Sequence, residues 1–209
     1  MTNPEQDYLS LSVRDFIAAT AAKTPTPGGG SVAGAVGAMG AALAEMALNF
    51  TRGKKKFAEH EEYYGHLQGR LRKYQALFGD LVRDDVEAYR LYQESTRQGD
   101  GPQKEQAVQL ALAAATHVPR ESAKVALALL EDLRQFAPRC SPYLVSDLLA
   151  SGTLAAAVVR LSDYNVRINV PQLADRQAAA DIGAASRADL RRAAGTLEEI
   201  EQSCKTALP

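Results

Sequence analysis

The sequence predicts an all-α protein, a helical bundle of about seven helices with a central Gly/Ala-rich helix and long antiparallel helices. Apolar residues recur at steps of three and four along most of the 209-residue chain, which is the spacing of one helix face. Clusters of proline and glycine separate these periodic segments, and no stretch has a convincing strand pattern. Alanine, the best helix former, dominates the apolar content of 46%. We therefore expect residues 1–209 to form a single helical domain.

The first two helices are predicted on either side of a proline- and glycine-rich turn. Ser12-Val-Arg-Asp15 has the pattern of a capping box and predicts a short helix that starts there. The two prolines of residues 24–31 exclude helix, and the three glycines permit backbone conformations that are closed to other residues. Ser31 is a good N-cap for the apolar helix that follows. That helix has three interior glycines, each costing roughly 1 kcal/mol against alanine. They indicate close backbone approach by neighbouring helices, which predicts a central position; these glycines are Gly34, Gly37 and Gly40.

The rest of the chain continues with the same helical spacing. Pro119 either kinks a helix that begins near residue 103 or starts the next one. The segment Asn165-Val-Arg-Ile-Asn169 ends the penultimate helix and has the alternating polar residues of a pocket lining. The predicted helical ranges are 57–95, 103–118, 119–136, 143–166 and 175–204. The apolar series of the first of these ranges is Tyr64, Leu67, Leu71, Tyr74, Phe78, Leu81, Ala88 and Tyr92.

Composition and motifs argue against several kinds of partner. The formal net charge is −1, so no global field favours nucleic acid or an anionic membrane. The longest apolar run has 13 residues, from position 32 to 44, whereas a membrane span needs about 20. The first ten residues lack the pattern of a signal peptide, which predicts a cytoplasmic protein. No metal site is expected, because ligand-like spacing is missing among the histidines His60, His66 and His117.

Two aspartates interrupt apolar helix faces. Asp85 stands where the series between Leu81 and Ala88 requires an apolar residue, and an unpaired acid is costly to bury. Either this face locally meets solvent or a partner subunit, or Asp85 is a functional carboxylate in a cleft. Asp147 lies one heptad before Leu154 on another apolar face, near the start of a helix. It either stabilises the helix through the helix dipole or belongs to a site.

Two further features suit an anionic ligand. The three glycines before a helix start form either a plain turn or an anion cradle. Along one face of that helix, small residues give way to polar residues at the C-terminal end, and a group of lysines follows in the sequence. This basic run is either a solvated helix start or a binding surface for a polyanionic ligand tail. The residues concerned are Gly28, Gly29, Gly30, Ser31, Asn49, Arg52, Lys54 and Lys55.

Three segments of the chain carry specific motifs. The first runs from Pro27-Gly-Gly-Gly-Ser31 to Thr51-Arg-Gly-Lys-Lys-Lys56, and the second is Asp85-Val-Glu-Ala-Tyr89. The third is Ser146-Asp147, followed by the asparagine segment. In this order they resemble the formiminotransferase-cyclodeaminase C-terminal domain family, which includes stand-alone bacterial methenyltetrahydrofolate cyclohydrolases. The resemblance implies an all-helical homodimer without a cofactor, which binds a folate near the Gly-rich loop, one option being the subunit interface.

The resemblance also implies one of two reactions on a one-carbon-loaded folate. A cyclohydrolase hydrolyses 5,10-methenyltetrahydrofolate to 10-formyltetrahydrofolate, and a cyclodeaminase cyclises formiminotetrahydrofolate with release of ammonia. Asp85 or Asp147 would move the proton at the one-carbon centre, and the other acid would hold the amino-pyrimidine edge of the pterin. Asn165 and Asn169 would orient substrate or water, and the basic run would attract the glutamate tail of polyglutamylated folate. The alternative is a non-catalytic helical dimer that serves as a folate-binding or interaction module.

Overall fold

The computed structural model describes residues 7–205, which form a helical bundle with no strand in that range. The predicted all-α bundle is confirmed, and the two segments predicted around Pro119 form one continuous helix. Short 3₁₀ segments connect several helices, among them Lys55–His60 and Val170–Gln172. The α-helices of the described range are α1 (Val13–Ala21), α2 (Gly29–Thr51), α3 (Glu61–Thr96), α4 (Pro102–Phe136), α5 (Val145–Asn169) and α6 (Arg176–Cys204).

Helix α2 lies between α3 and α5, and its glycines allow the close approach. A Cβ atom at Gly34 or Gly37 would come within 2.6 Å of side chains on α3. At Gly40 it would lie 3.5 Å from the backbone carbonyl oxygen of Ser151 on α5. The prediction that neighbouring helices approach this backbone closely is therefore confirmed.

The core follows the apolar series that the sequence shows on α3. The predicted face of that helix packs against α2 and α4, and its largest members have no solvent exposure. Rings of α3 and α4 meet edge to face, with a centroid distance of 6.1 Å between Tyr64 and Phe136. The buried members of the predicted series are Tyr64, Leu67, Leu71, Phe78, Leu81 and Ala88.

Helix α5 ends within the asparagine segment, as the sequence predicts. Its last residue is Asn169, so the segment from Asn165 to Asn169 is the last turn of the helix. Asn165 and Asn169 are consequently one helical turn apart on the same face. Pro171 follows the helix end in the next 3₁₀ segment.

One face of α2 is only partly covered by the described part of the chain. Val32, Val36, Met39, Leu43, Met46 and Phe50, here called the α2 stripe, follow one another at alternating steps of four and three. Phe50 is 62% exposed, and on the adjacent α5 the side chain of Ile168 is 68% exposed. By length and composition alone, Gly29–Thr51 and Pro142–Gln172 are apolar enough to cross a membrane, a property shared with core helices of soluble proteins.

Candidate active site

A cavity of about 270 Å³ opens between α3, α4 and α5, beside the first turn of α2. Its apolar wall includes Leu112 and Val118 of α4 and Ile168 of α5. Polar side chains from α3, α5 and the following 3₁₀ segment complete the wall. They are Asp85, Tyr89, Tyr92, Asn165, Asn169 and Gln172.

Asp85 extends from α3 toward the start of α2. The Ser31 hydroxyl donates a hydrogen bond to Asp85 Oδ2 at 2.7 Å, and the Ser31 backbone N–H is also directed at this carboxyl group. Burial raises the pKa of Asp85 above its ordinary value of 3.8, although both bonds from Ser31 act to lower it. A partly buried carboxyl group with a raised pKa is suited to accepting and returning a proton.

The glycine run makes room for this carboxylate. Helix α2 begins at Gly29, with Gly28 as its N-cap residue. A Cβ atom at Gly30 would stand 2.0 Å from Asp85 Oδ1 and 2.6 Å from Asp85 Cγ. Only glycine lets the carboxylate lie against the first turn, where the helix dipole favours negative charge. The helix start predicted as an anion cradle thus faces an acid of the chain itself.

Ser31 does not cap α2, and this prediction was wrong. It is the third residue of the helix and is fully buried. Gly28 takes the N-cap position without a side-chain bond, and the Asp85 carboxylate accepts from the first turn instead. The tertiary contact with α3 therefore replaces the local cap that the sequence indicated.

Asn165 and Asn169 both line the cavity, as expected of a pocket-lining segment. Asn165 Nδ2 donates to the Leu161 carbonyl oxygen at 3.1 Å, and its amide stands beside the first turn of α2 at Gly29. Asn169 Nδ2 donates across the cavity wall to the Ala115 carbonyl oxygen of α4 at 2.8 Å. Both amides are thereby held in fixed orientations.

Asn49 and Arg52 lie at the opposite end of α2 and contact α3. Arg52 forms an ion pair with Glu61 and donates to Gln68 Oε1 at 3.0 Å. Gln68 Nε2 donates in turn to Asn49 Oδ1 at 2.9 Å. Within this chain both residues are engaged in contacts between α2 and α3, away from the cavity.

Lys54, Lys55 and Asp147 lie at the same end as Arg52. Lys54 Nζ donates to Ser141 Oγ at 3.0 Å, and Lys55 is exposed. Asp147 is half-buried on the first turn of α5. Burial raises the pKa of the Cys140 thiol to about 11, with Asp147 adding to the rise and Lys54 opposing it. Both charged groups therefore act on the same thiol.

The predicted site residues thus form two groups at opposite ends of α2. Gly29 lies beside Asn165 and Gly40 lies beside Ser151, so α2 and α5 run antiparallel. Asp147 precedes Asn165 by 18 residues of the sequence, which is about 27 Å along the α5 axis. One chain consequently brings the glycines, Ser31, Asp85 and the asparagines together, but it does not bring Asp147 or the basic run to them.

Several cavity residues were missed by sequence reasoning. Tyr89 belongs to the Asp85 motif and lies one helical turn after it, which was an available signal. Tyr92 continues the apolar series of α3 and carried no separate sign of a site. Gln172 follows Pro171 in a 3₁₀ segment, and Ala115 contributes through its backbone, so neither has a sequence signature.

Potential metal ligands do not cluster in the described part of the chain. Among residues 7–205 no group of three or more His, Cys, Asp and Glu side chains could hold an ion. Cys140 and Cys204 are both free and buried.

Comparison with known proteins gives concordant matches. The profile of the formiminotransferase-cyclodeaminase family matches residues 12–188. The methenyltetrahydrofolate cyclohydrolase of Methylorubrum extorquens is 31% identical over 170 residues, which cover 79% of this chain and 82% of that protein. The formimidoyltransferase-cyclodeaminase of Mus musculus is 30% identical over 179 residues, which cover 83% of this chain and 33% of that protein. The chain thus spans most of the first relative and about a third of the second.

A solved structure has the same fold. The crystal structure of formiminotetrahydrofolate cyclodeaminase from Thermotoga maritima matches with a TM-score of 0.84 at 29% identity. The match covers 94% of this chain and 96% of that chain. Together with the profile match over residues 12–188, these findings show that the chain belongs to the formiminotransferase-cyclodeaminase family.

Proposed function

We propose that this chain acts on a one-carbon-loaded tetrahydrofolate, as a methenyltetrahydrofolate cyclohydrolase or a formimidoyltetrahydrofolate cyclodeaminase. The family supplies the substrate class. The observation that carries the proposal is the Asp85 carboxyl group, which lines a cavity and has a raised pKa. A non-catalytic folate-binding module has no need for a proton-accepting group of this kind, so the enzyme is the favoured reading.

Both reactions require a proton to be moved at the one-carbon centre. In the hydrolysis, water adds to the amidinium carbon and Asp85 takes one proton from this water. The carbon–N5 bond then breaks as N5 receives a proton, and the remaining hydroxyl loses its proton to become the formyl carbonyl, so that one proton is released overall. In the cyclisation, N10 attacks the carbon of the protonated formimino group, Asp85 takes the N10 proton, and the leaving NH₂ group receives it and departs as ammonia. A positioned carboxylate contributes about 10²- to 10⁴-fold to such steps.

The cavity matches part of a folate. Its volume of about 270 Å³ is just below the range of about 300–1,000 Å³ that is usual for whole drug-sized ligands. We propose that it holds the bicyclic pterin head, while the rest of the folate passes Ile168 and reaches the exposed face of α5. Ile168 supports this path because it lines the cavity and is largely exposed.

The proposed activity is tested by absorbance and by ammonia release. Purified protein should remove the near-ultraviolet band of methenyltetrahydrofolate faster than buffer does, or release ammonia from formiminotetrahydrofolate. Asp85→Asn, which keeps the side-chain shape, is the matched inactive control. Folded protein that binds folate and turns over neither substrate would instead establish the binding module.

We propose that a second copy of the chain covers the α2 stripe and the adjacent face of α5. The 4–3 spacing of the stripe is the seam pattern of packed helices, and a stable interface favours exposed aromatic residues such as Phe50. A partner on this face would also lie beside Ile168, so that the part of the folate outside the cavity would lie between the two subunits. Phe50→Asp should produce monomers in sedimentation; an unchanged dimer would place the interface elsewhere.

The proposed dimer has its two-fold axis perpendicular to α2, within the interface plane. This arrangement lays the end of one α2 over the start of the other, so that the partner subunit's Asp147 and the partner subunit's Lys54 approach Asp85. This arrangement is supported by the distance, within one chain, between Asp85 at one end of α2 and both Asp147 and Lys54 at the other end. Asp85→Asn and Asp147→Asn should each be inactive alone, yet co-expressed mixtures should regain about one quarter of the activity, because half of the dimers have one intact site. Inactive mixtures would contradict a shared site.

We further propose that the protein is cytoplasmic and works without metal or cofactor, and that nucleic acid and membrane are not its partners. The substrate brings its own electrophilic carbon, so proton transfer is sufficient chemistry. The net charge of −1 gives no attraction to polyanions as a whole. Activity should therefore survive dialysis against a chelator; its loss, with recovery on adding a divalent metal, would contradict this proposal.

A further inference from the structure

Three amide side chains line the cavity, and each uses its NH₂ group on a backbone carbonyl oxygen. Asn165 and Gln172 donate to carbonyls four residues earlier in the chain, at 3.1 and 3.2 Å. Asn169 donates to the carbonyl of Ala115 on α4, at 2.8 Å. A carbonyl oxygen accepts only from a donor, so these partners define which end of each amide is nitrogen.

The orientation of the amides leaves three side-chain oxygens as acceptors in the cavity wall. Each NH₂ group has given one N–H to a backbone carbonyl, so the side-chain oxygens of Asn165, Asn169 and Gln172 are left to accept hydrogen bonds, beside one further N–H on each amide. The Asp85 carboxylate adds two further acceptor oxygens on the α3 wall. A ligand group that offers several N–H donors along one edge matches these acceptor oxygens.

Pro119 leaves free the backbone carbonyl group that orients Asn169. In a regular helix the N–H of residue 119 would bond to the Ala115 carbonyl, four residues earlier. Proline has no N–H, and Pro119 lies inside α4 and is buried, so this carbonyl is left for the Asn169 amide. Proline is the least favourable residue for a helix interior, yet α4 continues through it.

We propose that the oxygens of Asn165, Asn169 and Gln172 bind the N–H donor edge of the pterin, formed by its ring N–H and 2-amino group, and that Pro119 is a positioning residue acting through Asn169. The inference rests on the proposed function for the identity of the ligand. It places the donor edge on the α5 wall and leaves Asp85 for proton transfer at the one-carbon centre.

The test compares the affinities of folic acid and its 2-desamino-2-methyl analogue, which lacks the amino donors. The native protein should prefer folic acid by about tenfold, the value of one hydrogen bond. Pro119→Ala restores a backbone N–H that competes for the Ala115 carbonyl, so the preference should fall toward one although Asn169 is unchanged. Asn169→Ala should reduce it similarly, and the double variant should lose no more than either single variant.

A matched control separates positioning from a general effect on helix stability. Gly195→Ala also strengthens a helix, and the new Cβ would have no atom within 4 Å, so the melting temperature should rise without a change in preference. If Pro119→Ala still alters the preference in the Asn169→Ala background, Pro119 acts through cavity shape and its positioning role is overturned. A native protein that turns over folate but shows no preference overturns the acceptor wall, whereas a folded protein that binds neither compound overturns the proposed function as well.

Discussion

Gly30→Ala is the substitution that tests the site most directly, because it leaves every polar residue in place and moves one of them. The new Cβ would lie 2.0 Å from Asp85 Oδ1, and ordinary contact begins at 3.4 Å. The carboxylate must therefore retreat by about 1.4 Å. Such a shift breaks the 2.7 Å bond from the Ser31 hydroxyl. Asp85 would remain at the cavity, but away from the position in which α2 now holds it.

The expected consequence is a folded protein with poor catalysis. The atom that has to move is the end of a flexible side chain, and alanine favours the helix by roughly 1 kcal/mol over glycine. The lost hydrogen bond to a charged group offsets this by about 1.5–3 kcal/mol. The net change in unfolding free energy is therefore about 2 kcal/mol or less. A displacement of about 1 Å costs about 10²-fold in rate, so kcat should fall by about that factor.

The assay is the loss of methenyltetrahydrofolate absorbance, with thermal unfolding measured on the same preparation. Gly69→Ala on α3 is the matched control, since its new Cβ would meet no atom within 4 Å and should leave the rate unchanged. A Gly30→Ala protein that is folded and has native kcat would refute the reasoning. It would mean that the position of Asp85 against α2 has no part in catalysis.

Three further predictions follow from particular contacts. Asp85→Asn should lower kcat by about 10²-fold or more and leave the melting temperature at pH 7 unchanged or higher, because a neutral amide avoids burying a charge. In the native protein the raised pKa of Asp85 means that activity is lost as pH falls through a value above 3.8, and the pH–rate profile of the variant should lack this limb. Replacing Lys54 and Lys55 together by Ala should raise KM more for polyglutamylated than for monoglutamyl folate, and added salt should reproduce the effect; equal losses would assign the lysines another role. Gly34→Ala should lower the unfolding free energy by about 1–3 kcal/mol, measured by denaturant titration, because its Cβ would come within 3.0 Å of the Phe78 carbonyl oxygen, and a native midpoint would contradict the proposed packing.

Local spacing was sufficient to predict the bundle and one part of the site. The apolar series of α3 follows the helical period because that face is buried, and the glycines of α2 are costly unless other helices approach them. Asp85 could be identified as a candidate site residue for the same reason, since an acid at its position breaks the apolar pattern that burial imposes. The family motifs added the substrate class, which periodicity does not contain.

The orientation of the site residues depends on contacts between distant parts of the chain. Ser31 was expected to cap α2 from its local sequence, but its hydroxyl donates a hydrogen bond to Asp85, 54 positions later, instead. The sequence also left open whether α4 continues through Pro119. It does continue, and the Ala115 carbonyl that proline leaves free accepts a hydrogen bond from Asn169, 54 positions after Ala115. Neither partner can be identified from the residues around the other.

The sequence by itself determined the helices, their buried faces and the residue types available for proton transfer, because these depend on neighbours within one or two helical turns. Only the tertiary structure decided that Asp85 and Asn165 share a cavity while Asp147 lies about 27 Å along α5 from that cavity. The antiparallel pairing of α2 and α5 separates residues that family motifs group together. Helical periodicity specifies which face of a helix is buried, whereas the packing of one helix against another specifies which ends of the helices meet.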